Sequence, residues 1–512
     1  MNTLTQKKFS FKFISLLTVA VILLINGITL MRFPSPNGDE AWMASKALAF
    51  IDSGSGFGAL DEGVMDRIEG YQHFFPWLPS AIQSLGVLLF GEPSLLAMRF
   101  ISLVSGLLLL IAIYFIGSAF DGMELGIFSV AFTASSLPFF LSAHLGRADI
   151  IASTFGYASL AILLNNKKQY HWISAISGFL MVLAFEVHAY AAIYFPTALA
   201  IFLWKYRTQI LRKLDFWGYI GGVAIGVMAY LGYHVIPNPQ AFLRLNQIVF
   251  IASRTPPLLT FDIEIIVNTL KEMGFMVLIT YPQILLGIWA IYRMVKTRPP
   301  YLWTLLILYG ALTISFILLV RNKSLLYYAI LYSPVMSLLL AAFFYDFVKE
   351  PVKTRTERFI RQIIVAGILV FPFVLISRFN SFPDYLKIQS EVNQIVEPGD
   401  IIMAQQIYWF GLNEHIYYSW ENIAYYRRYK PGSTLDDLLK LLKPDLFIID
   451  NQMENFIKDE IVENKYISEF RIPKNELEEF LGKSANLIHV INPDQEDTIR
   501  IYRINWDLES NE

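Results

Sequence analysis

FISLLTVAVILLINGITLMRFPSPNGDEAW, residues 13–42, holds the decision about the fold. Its first part, 13–30, is almost wholly apolar. As a helix it is about 27 Å long, close to the ~30 Å hydrocarbon core of a bilayer. Lys7, Lys8 and Lys12 precede it. A secretory signal would have a shorter apolar core and a small-residue cleavage site. The flank here is MRFPSPNGDE (31–40), so the run reads as a retained transmembrane helix. Asp39 and Glu40 then lie just beyond the membrane boundary, where paired carboxylates call for a reason.

The whole chain repeats the pattern. Of its 512 residues 55% are hydrophobic and 16% charged, against about a quarter charged in an ordinary globular protein. Apolar runs long enough to span a bilayer recur at roughly 13–32, 96–118, 125–143, 150–164, 172–186, 190–204, 216–236, 274–293, 301–320, 325–345 and 363–379. The expectation is a polytopic α-helical membrane protein with about eleven transmembrane helices. The net charge of −2 argues against a nucleic-acid partner, which would call for a basic field. With no cysteine, disulfides, thiolate metal sites and a cysteine nucleophile are excluded.

Charge sets the expected orientation. Lys and Arg gather in alternate connections, in TQKKFSFK, NNKKQYHW, KYRTQILRK, YRMVKTRPP and VKEPVKTRTERFIRQ. Basic connections stay cytoplasmic, which puts the N-terminus inside and the C-terminus outside the cytoplasmic membrane. The turn AFDGME (119–124) is assigned to the inside without a basic residue. HFFPWLPSAIQSLGVLLFG (73–91) is apolar enough to suggest another span, but a crossing there would invert every later loop. It reads instead as a helix lying at the outer surface, with Trp77 at the interface. Residues 33–95 thus form one long first external loop, within a transmembrane domain over 1–379.

Past residue 380 the pattern changes. LKIQSEVNQIVEPGDIIMA reads as helix, Pro-Gly turn and strand, and TLDDLLKLLKPDLFIID repeats that order. This predicts a small extracytoplasmic α/β domain over 380–512.

The ionisable residues gather at the external ends of the spans. Asp39–Glu40 is either solvated decoration or a general base held near an apolar boundary. HLGRADI (144–150) places His144, Arg147 and Asp149 between two spans, as an ion pair capping helix ends or as a second acid with an anion-binding arginine. FEVHAYAAIYFP (185–196) carries Glu186 and His188 in an apolar setting. VRNKSLLYYAILYSP (320–334) carries Arg321 and Lys323 just before a helix, with Tyr327 inside it. Positive charge there suits a phosphate, or snorkels to the interface. Arg99 reads the same two ways. His73, His144, His188 and Glu186 lack a compelling metal-ligand spacing.

The Asp–Glu pair in a long first external loop, the interfacial helix leading to LFGEPSLLAMRF, the Arg-x-Asp of the second external loop and RNKSLLYYAILYSPVMSLLLAA together resemble the GT-C glycosyltransferases. The resemblance is to family 39, the ArnT-like and protein O-mannosyltransferase group. It implies a GT-C fold and transfer of a sugar from a polyprenyl-phosphate carrier to an acceptor hydroxyl, with inversion. The acceptor is a glycan, lipid or protein at the bilayer. In that light Asp39 is the expected general base, Glu40 the residue that orients it or the acceptor, and Asp149 a wall of the acceptor or sugar site. Arg147, Arg321, Lys323 and Arg99 become phosphate-binding candidates, and Glu69, His73, His144, Glu186, His188 and Tyr327 substrate-binding candidates. No cofactor is implied beyond the lipid-linked donor, and a divalent metal stays an open requirement. The chain departs from the ArnT-like EKPP, reading EGYQHFFP, and from the TKGP-like element near Glu186. Two other readings of a polytopic chain are a flippase of lipid-linked sugars and a polyprenyl-diphosphate-dependent polymerase or ligase. The first would place polar groups at mid-span.

Overall fold

The computed structural model describes residues 11–64, 71–246, 299–320, 325–349, 385–450, 474–492 and 498–506, with isolated positions between them. Contacts divide the chain into two compact units. One comprises Met1–Phe33, Ser102–Tyr230 and Leu258–Ser381, the other Pro34–Ile101, Leu231–Pro257 and Phe382–Glu512.

The first unit is helical. Among the described residues, four helices are long and apolar enough to cross a membrane: Leu95–Ala134, Ala148–Asn165, Leu214–Val235 and Leu302–Leu319. Val19–Thr29, His171–Val187 and Ser333–Phe347 are shorter apolar helices. The Leu95–Ala134 helix begins in the second unit and is broken at Asp121 and Gly122, where Gly122 takes φ +77°. That break falls within the expected turn at 119–124. Leu107, Leu108, Ile111 and Phe115 form one exposed apolar stripe at helical spacing, a face that lipid would satisfy.

The expected single run over 125–143 is two helices. Ala134 ends the first, and the Ser136 hydroxyl accepts from the Phe139 amide to start Leu137–His144, with Pro138 in its first turn. A serine cap and a proline lacking an N–H make that restart. His144 closes this short helix and is wholly buried. Its Nδ1 is 2.7 Å from the Phe140 carbonyl and its Nε2 is 2.9 Å from the Thr29 hydroxyl. It therefore ties the first helix to the restart.

Close backbone approach joins two further helices. Gly218, Gly222 and Gly226 repeat at four-residue spacing along Leu214–Tyr230. A Cβ on Gly222 would meet the Ala175 carbonyl well inside ordinary contact, and one on Gly178 would meet the Tyr219 carbonyl. Small residues at this spacing let membrane helices pack backbone to backbone. The expected spans 274–293 and 363–379 lie outside the described residues.

The second unit holds the first loop and the C-terminal sheet region. Gly38–Ser53 is a helix capped at both ends, by Asn37 and by Gly54 at φ +71°. Trp77–Phe90 follows Pro76 and ends at Gly91 with φ +83°. Its length, about 21 Å, is too short for the ~30 Å core of a bilayer. Leu85, Leu88 and Leu89 are exposed on one side of it, while Ser80, Gln83, Ser84, Gly86 and Val87 are buried on the other.

The five-stranded sheet has the order β2-β1-β3-β5-β4, with β1 at Ile402–Ala404, β2 at Tyr417–Ser419, β3 at Leu446–Ile449, β4 at Ala485–Ile491 and β5 at Ile499–Ile504. β1 runs parallel to β2 and β3, and β5 runs antiparallel to β3 and β4. The two expected helix-to-strand passages appear as Tyr385–Ile395 before β1 and Leu435–Leu442 before β3. Met403, Phe447, Leu439 and Trp420 share one apolar core with Val64, Phe74 and Phe75 of the first loop. The sheet is thus completed by residues more than three hundred positions earlier.

Candidate functional site

The two acids of PNGDEAW have different surroundings. Asn37 is the N-cap of the Gly38–Ser53 helix, so Gly38, Asp39 and Glu40 are its first three residues. The Asn37 side chain accepts from the Asp39 amide at 2.9 Å, and the Glu40 carboxylate accepts from the Asn37 amide at 2.9 Å. This reciprocal cap satisfies two amides that a helix start leaves orphaned. Glu40 is wholly buried and also takes Arg99 Nε at 2.9 Å and Arg99 Nη2 at 2.9 Å. Arg99 Nη2 donates as well to the Pro34 carbonyl at 2.9 Å. Glu40 is therefore a clamp that fixes the first turn. Asp39, next to it, is only partly buried, at a helix N-terminus that favours negative charge.

A second node braces the same helix from its far side. Asp61 accepts from Trp42 Nε1 at 2.7 Å, Lys46 Nζ at 2.7 Å and the Gly58 amide at 2.9 Å. Lys46 is buried, with its ammonium 3.3 Å from the Phe75 ring centroid. Burial pushes the Lys46 pKa down to about 8, against the opposing pull of Asp61.

The other cluster lies in the first unit, at the start of the Ala148–Asn165 helix. Arg147 is the N-cap of that helix, and its Nε donates to Asp149 Oδ2 at 2.7 Å. Its guanidinium lies over the Tyr327 ring at 4.6 Å and the Tyr328 ring at 5.8 Å. Burial works against its charge, but Asp149 and the two tyrosines outweigh it and its pKa is raised. Asp149 Oδ1 is buried, and among the described residues no hydrogen-bond donor reaches it. His188 Nε2 stands 3.6 Å from it. The Tyr190 amide donates to His188 Nδ1 at 3.2 Å, so a neutral ring carries its proton on Nε2, toward that oxygen. The His188, Tyr190 and Tyr328 rings pack against one another at 5.0–5.4 Å. Leu141, Ser142, Leu145, Arg147, Asp149, Ile150 and Tyr327 line a small cavity here. A guanidinium, a carboxylate oxygen short of donors and several aromatic faces suit a polar ligand with hydroxyl or phosphate groups and a ring.

Residues 75–233 match the family model for dolichyl-phosphate-mannose-protein mannosyltransferases. No curated protein matches the chain in sequence. Among solved structures, the chain is similar to ArnT from Cupriavidus metallidurans bound to undecaprenyl phosphate, at 13% identity and a TM-score of 0.60, covering 98% of this chain and 99% of that one. It is also similar to the oligosaccharyltransferase AglB from Archaeoglobus fulgidus in complex with an inhibitory peptide and a dolichol-phosphate, at 13% identity and a TM-score of 0.55, covering 94% and 73%. The fold is that of the GT-C glycosyltransferases.

On this GT-C fold the expected site residues separate into groups. Arg147, Asp149, His188 and Tyr327 come together, and Tyr190 and Tyr328 join them. Both tyrosines stand in stretches where only their neighbours drew attention, and nothing in the local sequence ranks one tyrosine above another. Glu186 is buried at the end of His171–Val187, two residues before His188. Arg99 is wholly buried and bound to Glu40. His144 has both ring nitrogens engaged inside its own unit. His73 is exposed, its ring 5.0 Å from Tyr233, and its carbonyl accepts from His234 Nδ1 at 2.6 Å. Glu69, Arg321 and Lys323 lie outside the described residues. Among the described residues no three His, Asp or Glu groups are arranged to hold a metal ion. The Asn37 cap was readable in advance from Asn37 and Glu40, three residues apart.

Proposed function

We propose that this chain is an integral membrane glycosyltransferase that moves a sugar from a polyprenyl-phosphate carrier to an acceptor hydroxyl on the extracytoplasmic face, with inversion. The observation that carries the reading is the split of the acid pair on a GT-C fold. Glu40 is buried and clamped by Arg99, and Asp39 is left partly exposed on the turn they fix. The solved relatives with bound undecaprenyl phosphate and dolichol-phosphate support a lipid-linked donor.

The chemistry needs one base and positive charge. Asp39 takes the proton of the acceptor hydroxyl as that oxygen attacks the anomeric carbon. The bond from that carbon to the phosphate oxygen breaks, and the lipid phosphate leaves with the electron pair. A phosphate leaving group needs little protonation, but it gains charge, which a guanidinium stabilises; within the first unit Arg147 is the candidate for binding the donor phosphate. In the same first-unit cluster Asp149 Oδ1, short of donors, accepts from a hydroxyl of the bound donor.

The test compares cell-surface glycans by mass spectrometry with the protein present, absent or carrying Asp39→Asn. The expected result is a mass increment lost on removal and equally lost in the variant, at unchanged expression. Full transfer by Asp39→Asn overturns the base assignment. A purified assay with polyprenyl-monophosphate and polyprenyl-diphosphate sugars checks the donor, and the monophosphate is expected to be used.

A further inference from the structure

We infer that the C-terminal α/β region positions the catalytic turn, and that Gln406 is the positioning residue through which it acts on Asp39. This rests on the reading of Asp39 as the base. It assigns a role to a region that the chemistry itself does not use.

The contact is specific. Gln406 opens the 3-10 turn Gln406–Trp409, just after β1, and is buried. Its side chain lies against Gly38, the first residue of the helix that carries Asp39. A Cβ built on Gly38 would fall inside 3.0 Å of Gln406 Oε1, with Gln406 Cβ and Cδ each at 3.5 Å. Gly38 is thus the residue that lets Gln406 seat on the turn. Nothing else in the local backbone asks for glycine. Gly38 has no positive φ, and alanine is the better helix former by about 1 kcal/mol.

The surroundings hold Gln406 in place. Tyr385, at the start of the helix before β1, donates its hydroxyl to the Ile407 carbonyl, one residue beyond Gln406. Burial, then the charge of Glu40, pushes the Tyr385 phenol up while Arg99 pulls it down. Lower in the same unit, Asn422 accepts from the Val64 amide at 2.8 Å. A Cβ on Gly63, at φ +102°, would again run into Asn422. The sheet region therefore grips the first loop at two glycines, and one of them adjoins the base. A positioned base loses rate steeply when displaced, which gives the contact a catalytic consequence.

The experiment uses the full chain in lipid nanodiscs, with Gly38→Ala, Gln406→Ala and the double variant. Gly38→Ala is expected to lower transfer roughly ten- to hundredfold, the scale of a 1 Å misplacement. In the double variant the added methyl has room, and transfer recovers to the level of Gln406→Ala alone. Hydrogen exchange is the second readout. Gln406→Ala is expected to speed exchange of the amides in 38–42 while β3 and the Trp77–Phe90 helix keep wild-type protection. Wild-type transfer by Gly38→Ala, a double variant as poor as Gly38→Ala, or exchange unchanged at 38–42 or raised throughout the sheet overturns the inference. Asp39→Asn run in parallel separates the two ideas. Normal transfer there removes the base, while the exchange readout still decides whether Gln406 holds the turn.

Discussion

Glu40 and Arg99, fifty-nine residues apart, meet as a two-pronged ion pair with both bonds at 2.9 Å and neither side chain exposed. Breaking such a pair leaves one charge buried alone, a loss of about 3–5 kcal/mol. Arg99→Ala and Glu40→Ala are each expected to lower the thermal unfolding midpoint in detergent sharply. Arg99→Lys recovers only part, because an ammonium cannot present two parallel N–H groups. A midpoint unchanged in Arg99→Ala would show that the clamp is not structural.

Arg147 is expected to act on donor binding as well as on folding, since its removal leaves Asp149 buried without its ion-pair partner. Removing a charge-assisted contact is worth about 1.5–3 kcal/mol. Arg147→Ala should therefore raise KM for the lipid-linked donor about ten- to hundredfold. Steady-state kinetics in nanodiscs, with Arg147→Lys alongside, reads this. An unchanged KM removes Arg147 from the donor site.

Lys46 gives a pH dependence of defined sign. Its pKa falls from 10.5 in the unfolded chain to about 8 in the fold, chiefly through burial. Between those values the unfolded chain binds more protons, so stability rises with pH across the window. Below pH 8 the penalty is fully present, and above 10.5 it is gone. Unfolding midpoints measured from pH 7.5 to 10.5 should rise in the wild type relative to Lys46→Met/Asp61→Asn. A constant difference between the two across that range contradicts the assignment.

The glycine seam predicts a position-specific effect. Gly222→Leu forces its side chain into the Ala175 backbone and should destabilise by about 1–3 kcal/mol. Gly221→Leu, one residue away with open space around its Cβ, should not. Comparing the two midpoints isolates packing from helix propensity.

Much of this was legible in one dimension. Apolar run lengths located the helices, and the Pro-Gly and Lys-Pro breaks located two passages into strands. The helix at 77–90 followed from its apolar run. The restart at Ser136 was hidden because serine is tolerated inside membrane helices, and only Ser136 and Pro138 read together mark a new N-terminus. The site divided in the same way. Asp39, Glu40, Arg147 and Asp149 drew attention because charge stands out in an apolar chain. The roles of Glu40 and Arg99 depend on a partner fifty-nine residues distant, which spacing cannot report. Lys46 and Asp61 carry no signal in the sequence, because a lysine on a helix of an external loop looks solvated until its aromatic lid is seen.

The core that Phe74 and Phe75 share with Met403 and Phe447 also has a timetable. About 280 residues separate the first and last segments of the second unit along the chain. At 5–20 residues per second the ribosome needs roughly 15–60 s to reach the last segment. For that interval the early loop stands with its aromatic residues uncovered and its acid-bearing helix without its buttress. A chain cut short before residue 382 would keep Asp39 and Glu40 yet never finish the wall behind them. Premature termination late in this gene should therefore be as damaging as loss of the acids themselves.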